Sequence, residues 1–181
     1  MSDREPGTER VVASRRIYDG RICNLRIDTV ELPDGRQAAR EIVEHDPVAV
    51  IVPVHDNGDV VLVRQFRLAI GRVMLEVPAG VLDPGEDIEA AAQRELQEET
   101  GLRARTMTPL GGVYASPGFL TEYMHLFLAE GLEDAPLEPD EDEDIVVRRM
   151  PLSQALALID SGGIVDAKSV CGLLLVARRR A

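Results

Sequence analysis

Along the first 77 residues the apolar positions come in short, β-branched runs broken by turn residues, a pattern that predicts strands. Strands are expected over residues 11–18 and 22–32, and Pro33-Asp34-Gly35 turns the chain into another over 40–45. Runs at 48–54 and 60–66 flank Asp56-Asn57-Gly58, a strong hairpin signal, and the sheet continues over 74–77. A helix starts at Ile88. After it come apolar segments at 107–114, 122–128 and 145–150, then two more helices over 152–159 and 167–178. Strands on both sides of a central helix, without regular βαβ repetition, argue for an α+β fold in which helices clad a mixed β-sheet. Residues 1–10 are polar and expected to be disordered.

The central helix carries the chemistry. Its start is marked by Pro84-Gly85 as a turn and by Asp87 as an N-cap; Ala90, Ala91 and Ala92 favour helix, and Gly101 is placed to end it in a left-handed C′ conformation. At about 100° per residue, Glu98 and Glu99 fall on either side of Glu95, so the three carboxylates share one arc that holds no basic residue. Ala92 and Leu96 lie beside the arc as a packing surface. Like charges three and four residues apart cost a helix roughly 0.2 to 0.5 kcal/mol per pair, so this concentration calls for a compensating cation. Hard oxygen donors suit Mg²⁺, with Mn²⁺ as the second choice. Arg94 lies outside the arc, where spacing alone is compatible with an exposed arginine.

Length and charge narrow the picture. The 181 residues with 45% hydrophobic content suit one ordinary globular domain with a real core. A net charge of −12 argues against a nucleic-acid partner, and the basic run Arg178-Arg179-Arg180 reads as a solvated helix end. Cys23 and Cys171 lie far apart in apolar surroundings and are expected as reduced core residues, consistent with the cytoplasm. No signal-peptide pattern opens the chain, and no apolar run approaches the roughly 18 residues a membrane span needs. His45, His55 and His125 share no zinc-binding spacing.

From Gly80 to Leu102 the chain reads Gly-x5-Glu-x7-Arg-Glu-Leu-x-Glu-Glu-x-Gly-Leu, which matches the Nudix box at every fixed position. Such a match arises by chance on the order of 10⁻⁹ per starting position on ordinary amino-acid usage. The chain therefore strongly resembles the Nudix hydrolase family. Outside the box it resembles the ADP-ribose pyrophosphatase branch, through Arg40-Glu41-Ile42-Val43-Glu44-His45, Val63-Arg64-Gln65-Phe66-Arg67, Glu76-Val77-Pro78-Ala79-Gly80, Ser116-Pro117-Gly118-Phe119 and Asp166-Ala167-Lys168-Ser169.

The resemblance implies a Nudix fold over residues 46–181, preceded at 11–45 by an antiparallel β extension that serves as a dimerisation subdomain in a homodimer. It implies a metal site of Glu95, Glu98, Glu99 and the Ala79 carbonyl, with Arg94 bracing the glutamates. A diphosphate is repelled by a protein this acidic, so local arginines must help neutralise it. Arg67 is the first choice, with Arg64 and Gln65 beside it, Arg40 and Glu41 from the dimerisation segment, and Ser116 from a loop that Gly118 makes mobile. That loop ends in Glu122, the implied catalytic base; the branch more often reads Phe-Thr-Asp-Glu where this chain has Phe119-Leu120-Thr121-Glu122. Glu141 and Glu143, in the acidic run 138–144, are the reserves for that role. The implied activity is Mg²⁺-dependent hydrolysis of ADP-ribose to AMP and ribose 5-phosphate. Alternatives are hydrolysis of another nucleoside diphosphate derivative, such as a nucleotide sugar or flavin nucleotide, and a non-catalytic ADP-ribose sensor.

Overall fold

The computed structural model describes residues 7–138 and 144–180, so the reserves Glu141 and Glu143 lie outside the described residues, as does the opening stretch 1–6. The chain divides into two units, one made of the residues up to Asp46 with Tyr114–Glu122, the other of Pro47–Val113 with Tyr123–Ala181.

The first unit is a three-stranded antiparallel sheet in the order β1-β2-β3, with β1 at Arg10–Asp19, β2 at Cys23–Glu31 and β3 at Gln37–His45. Every residue of β1 is exposed, whereas β2 buries Asp28 and Val30. A buried carboxylate must be paired, and Asp28 accepts from Ser14 Oγ at 2.6 Å and Arg26 Nε at 3.0 Å. The Ser14 hydrogen bond, backed by Arg26, holds the Asp28 carboxyl below its usual range against the opposing effect of burial. The loop 116–122, expected as mobile, is tied to β3. Val43 N–H donates to Phe119 O at 2.7 Å, Thr121 N–H to Val43 O at 3.0 Å, and His45 N–H to Thr121 Oγ1 at 2.9 Å. Pro117 and Gly118 carry no local signal of that pairing, which needs a partner more than 70 residues away.

The second unit is built around β4 (Val48–Pro53), whose six residues are all buried. A strand with no polar face needs cover on both sides. Val48, Val50 and Val52 pack with Leu126, Ala155, Leu173 and Val176, while Ala49 and Ile51 pack with Ala91, Ala92, Leu96 and Phe127. Period-two alternation along one strand thus feeds two cores, one under α2 (Leu152–Asp160) and α3 (Ala167–Arg180), the other under α1 (Ile88–Thr100). The four-stranded sheet runs β7-β4-β9-β8, with β7 at Ala79–Val81, β8 at Leu102–Tyr114 and β9 at Tyr123–Asp134. β4 pairs parallel with β9 and antiparallel with β7, so the sheet is mixed and sandwiched between helices. A second sheet, β10-β5-β6, joins Ile145–Pro151, Asp59–Arg67 and Arg72–Glu76.

Two expectations change in detail. The Asp56-Asn57-Gly58 turn forms, closed by His55 N–H to Asp59 O at 2.9 Å, but β4 and β5 keep only the Val54–Val60 bridge before entering different sheets. The doubly apolar β4 takes a central place between β7 and β9, which a hairpin partner would have occupied. Cys23 and Cys171 are free thiols, as expected, but half-buried rather than core. Among the described residues no helix is long and apolar enough to cross a membrane.

Leu96 is fully buried between α1 and β4, so Leu96→Ala should destabilise the protein by about 2–5 kcal/mol through lost contact and a residual cavity. Leu174→Ala on the exposed side of α3 should stay within about 0.5 kcal/mol. Urea unfolding followed by circular dichroism measures both, and equal losses would contradict this packing.

Candidate active site

Helix α1 presents its acidic side because its apolar side is taken. Asp87 caps it by accepting from Glu89 N at 3.0 Å and Ala90 N at 3.1 Å, and Gly101 ends it at φ 73°. With Ala91, Ala92 and Leu96 packed on β4, the helix has one rotation available, and that rotation turns Glu95 and Glu98 away from the core. Glu99 sits at the boundary, 6% exposed, and accepts from the Ala79 N–H at 3.2 Å.

Glu95 meets the loop of β7 so closely that a Cβ on Gly80 would stand 2.0 Å from its carboxyl carbon. Any larger residue at position 80 would force the Glu95 carboxylate to shift. The box glycine and the box glutamates are therefore packed against each other across the loop-to-helix gap.

Arg94 is not a solvent-exposed arginine but reaches the glutamates, as the resemblance implies. Its Nη1 donates to Glu95 Oε1 at 2.7 Å and Glu98 Oε2 at 2.9 Å, and its Nε and Nη2 grip Glu86 at 3.0 and 2.9 Å. Nη2 also reaches the Val81 carbonyl at 3.3 Å. A planar fork with five donors suits this many acceptors, which an ammonium would not. The hydrogen bond to Glu86 first, then the charge of Glu95, raise the Arg94 pKa, while Arg94 in turn lowers that of Glu86. Glu86, the first glutamate of the box, was given no role from sequence; its spacing from Arg94 spans a loop and carries no helical signal.

The oxygen donors of Glu95, Glu98, Glu99 and the Ala79 backbone have the hard character that a small divalent cation takes. Among the described residues no three His, Cys, Asp or Glu side chains already converge on one point in metal-binding geometry. Arg94 Nη1 accounts for this at Glu95 and Glu98, since both carboxylates turn toward the guanidinium. The donor set fits the metal by its chemistry.

The remaining candidates fall into two groups. Arg67 lies in the second unit, where Nε and Nη2 donate to Glu76 at 3.0 and 2.8 Å. That hydrogen-bonded pair raises the Arg67 pKa, and the charges of Glu99 and Asp166 add to it, so Arg67 lies within the field of the acidic helix. Burial opposes ionisation of Glu76, but Arg67 and Lys168 outweigh it and hold its carboxyl below the usual range. Gln65 shares a strand face with Arg67, whereas Arg64 leaves the opposite face and is exposed. Arg40, Glu41, Ser116 and Glu122 all belong to the first unit. There Arg40 pairs with Glu9 at 3.0 Å, Glu41 is exposed, Ser116 closes a turn through its carbonyl, and the backbone carbonyl of half-buried Glu122 accepts from Ala115 N–H at 3.3 Å. Glu76, Asp166 and Lys168 carry no local signal of a shared site, and only the fold brings them together.

Comparison with known proteins adds the family. Residues 44–171 match the NUDIX domain, and residues 9–43 match the nucleoside diphosphate sugar hydrolase N-terminal domain. The chain is 41% identical to an ADP-ribose pyrophosphatase of Bacillus subtilis over 89% of this chain and 88% of that one. It is 37% identical to an ADP-ribose pyrophosphatase of Mycobacterium tuberculosis over 91% of this chain and 81% of that one. A crystal structure of an ADP compounds hydrolase superposes with a TM-score of 0.88 at 25% identity, covering 97% of this chain and 96% of that one. An intact box, folded so that its glutamates, arginine and glycine meet, and matched along most of its length by such relatives, makes this chain a member of the Nudix hydrolase family.

Proposed function

We propose that this protein hydrolyses ADP-ribose to AMP and ribose 5-phosphate with Mg²⁺, and with Mn²⁺ as a substitute. The observation that carries this reading is the meeting of Glu95 with the Gly80 backbone while Arg94 ties Glu95 to Glu98. Resemblance to the two pyrophosphatases supports the choice of substrate. Glu95, Glu98, Glu99 and the Ala79 carbonyl would hold the metal. When bound, the cation supplies positive charge against the diphosphate oxygens and acidifies water near neutral pH.

The chain's own residues do the rest. Arg94 fixes the carboxylates of Glu95 and Glu98, and the Ala79 N–H fixes Glu99. Arg67 binds the diphosphate, with Gln65, Arg64, Arg40, Glu41 and Ser116 as the further substrate contacts. Water attacks phosphorus, the bond to the bridging oxygen breaks, and Glu122 accepts the proton the water loses. The segment before residue 46 serves as a dimerisation element: β1 is an edge strand exposed along its whole length, with Val11 and Tyr18 in the open. The cytoplasm is the proposed location.

Incubating the protein with Mg²⁺ and a panel of ADP-ribose, nucleotide sugars and flavin nucleotides, with products identified, tests the substrate. ADP-ribose should rank first, and a far better second substrate would replace it. Glu99→Gln should keep its melting temperature and lose turnover by orders of magnitude; near wild-type activity would remove Glu99 from the mechanism. Arg94→Lys keeps the charge but not the fork, so kcat/KM should fall about 10–100-fold. Gly80→Ala should lower kcat/KM as well, because its methyl group forces the Glu95 carboxylate to shift. Should Arg94→Lys retain full activity, bracing by Arg94 is not needed. Sedimentation of the intact protein at micromolar concentration should give a dimer mass, and a monomer would refute the dimerisation element.

A further inference from the structure

Glu76 is 2% exposed at the end of β6, where an ionised carboxylate needs compensation. Two cations converge on it. Arg67 donates to both of its oxygens, and Lys168 Nζ, from the first turn of α3, donates to Oε2, the oxygen that Arg67 Nη2 also uses. Lys168 is itself held, 3.1 Å from Asp166 Oδ2. Asp166 caps α3 through the Ser169 N–H at 3.0 Å and also accepts from Ser169 Oγ, and Ser169 Oγ in turn accepts from the Val77 N–H at 2.8 Å. The network thus starts at an arginine beside the acidic helix and returns to the backbone one residue past Glu76.

Geometry shows what the arrangement does. The bidentate grip of Glu76 fixes the Arg67 guanidinium plane and leaves Nη1 outside the pair. Lys168, bonded to the same carboxylate and held in turn by Asp166, fixes the group that does the gripping, and the two cations and two carboxylates leave the network neutral. Arg67 keeps 37% of its side chain exposed, whereas Lys168 keeps 13% and Glu76 3%. Only the arginine of this trio has substantial surface to offer a ligand.

We propose that Lys168 is a positioning residue which, through Glu76, holds Arg67 oriented for the substrate diphosphate. The inference rests on the reading of Arg67 as a diphosphate ligand.

The test is a double-mutant cycle on the full chain. Lys168→Met, Lys168→Arg, Arg67→Ala and the double variant Lys168→Met/Arg67→Ala are assayed with Mg²⁺ on the diphosphate that the wild type hydrolyses best. Binding of the α,β-methylene analogue of ADP-ribose is measured by calorimetry, and melting temperature checks the fold. Lys168→Met should raise KM and analogue Kd about tenfold with kcat within about threefold, and Lys168→Arg should restore most of the loss. In the Arg67→Ala background, Lys168→Met should change Kd by less than about twofold, because its effect passes through Arg67. An undiminished effect in that background, or unchanged binding in Lys168→Met alone, overturns the proposal. A lowered melting temperature with unchanged Kd assigns Lys168 to the fold and overturns it as well. If ADP-ribose proves a poor substrate, the substrate reading fails while the cycle, run on the better diphosphate, still decides the role of Lys168. A wild type that cleaves no nucleoside diphosphate overturns both.

Discussion

Three glutamates on adjacent turns of one helix repel one another, and the Arg94 fork is what makes their grouping tolerable in a folded chain. It meets Glu95, Glu98 and Glu86 together, so two turns of α1 and the loop before it are bound by one side chain. The same contact orders the loop, because Glu86 and the Val81 carbonyl both lie on the path from β7 to the helix. A divalent cation and a guanidinium offset the same negative charge, so the two share the carboxylates. Arg94 therefore compensates the charge of Glu95, Glu98 and Glu86 from within the chain.

The loop across from the helix is held as firmly as the helix itself. Val77 and Ala79 present their N–H groups to opposite elements, one to Ser169 on α3 and the other to Glu99 on α1. Between them Pro78 carries no donor, and its carbonyl accepts from Ile51 N–H at 2.9 Å on β4. Three elements thus locate a few residues of backbone to within a hydrogen bond each. The fully apolar β4 makes this possible, because it anchors α1 on one face and α3 on the other. Both helices then reach the loop at fixed height. Gly80 completes the fit by lacking the one atom that Glu95 would strike.

Much of the fold was legible before any coordinates. Helix α1 begins after Asp87 and stops at Gly101, as its cap residues dictate, since capping is local chemistry. The strand expected over 107–114 starts at Leu102, directly after the Gly101 cap, and residues 102–106 lack the apolar signature that would have extended it. The hairpin signal at residues 56–58 was sound as a turn and misleading as a sheet neighbour. A turn motif sets the reversal of the chain, whereas strand order is set by which faces must be covered.

The sequence by itself determined the acidic arc, the helix that carries it and the family to which the chain belongs, because these follow from fixed spacings along one helix and its flanking turns. Only the tertiary structure decided where the long side chains end. Arg94 leaves the helix outside the arc and yet reaches into it, and a helical wheel locates Cβ atoms but not the tips of flexible stems. The Glu76–Lys168 pair bridges 92 residues, a separation over which no periodicity speaks. Such partners are selected by the order of strands and the faces the core requires, and those are settled by the whole chain at once.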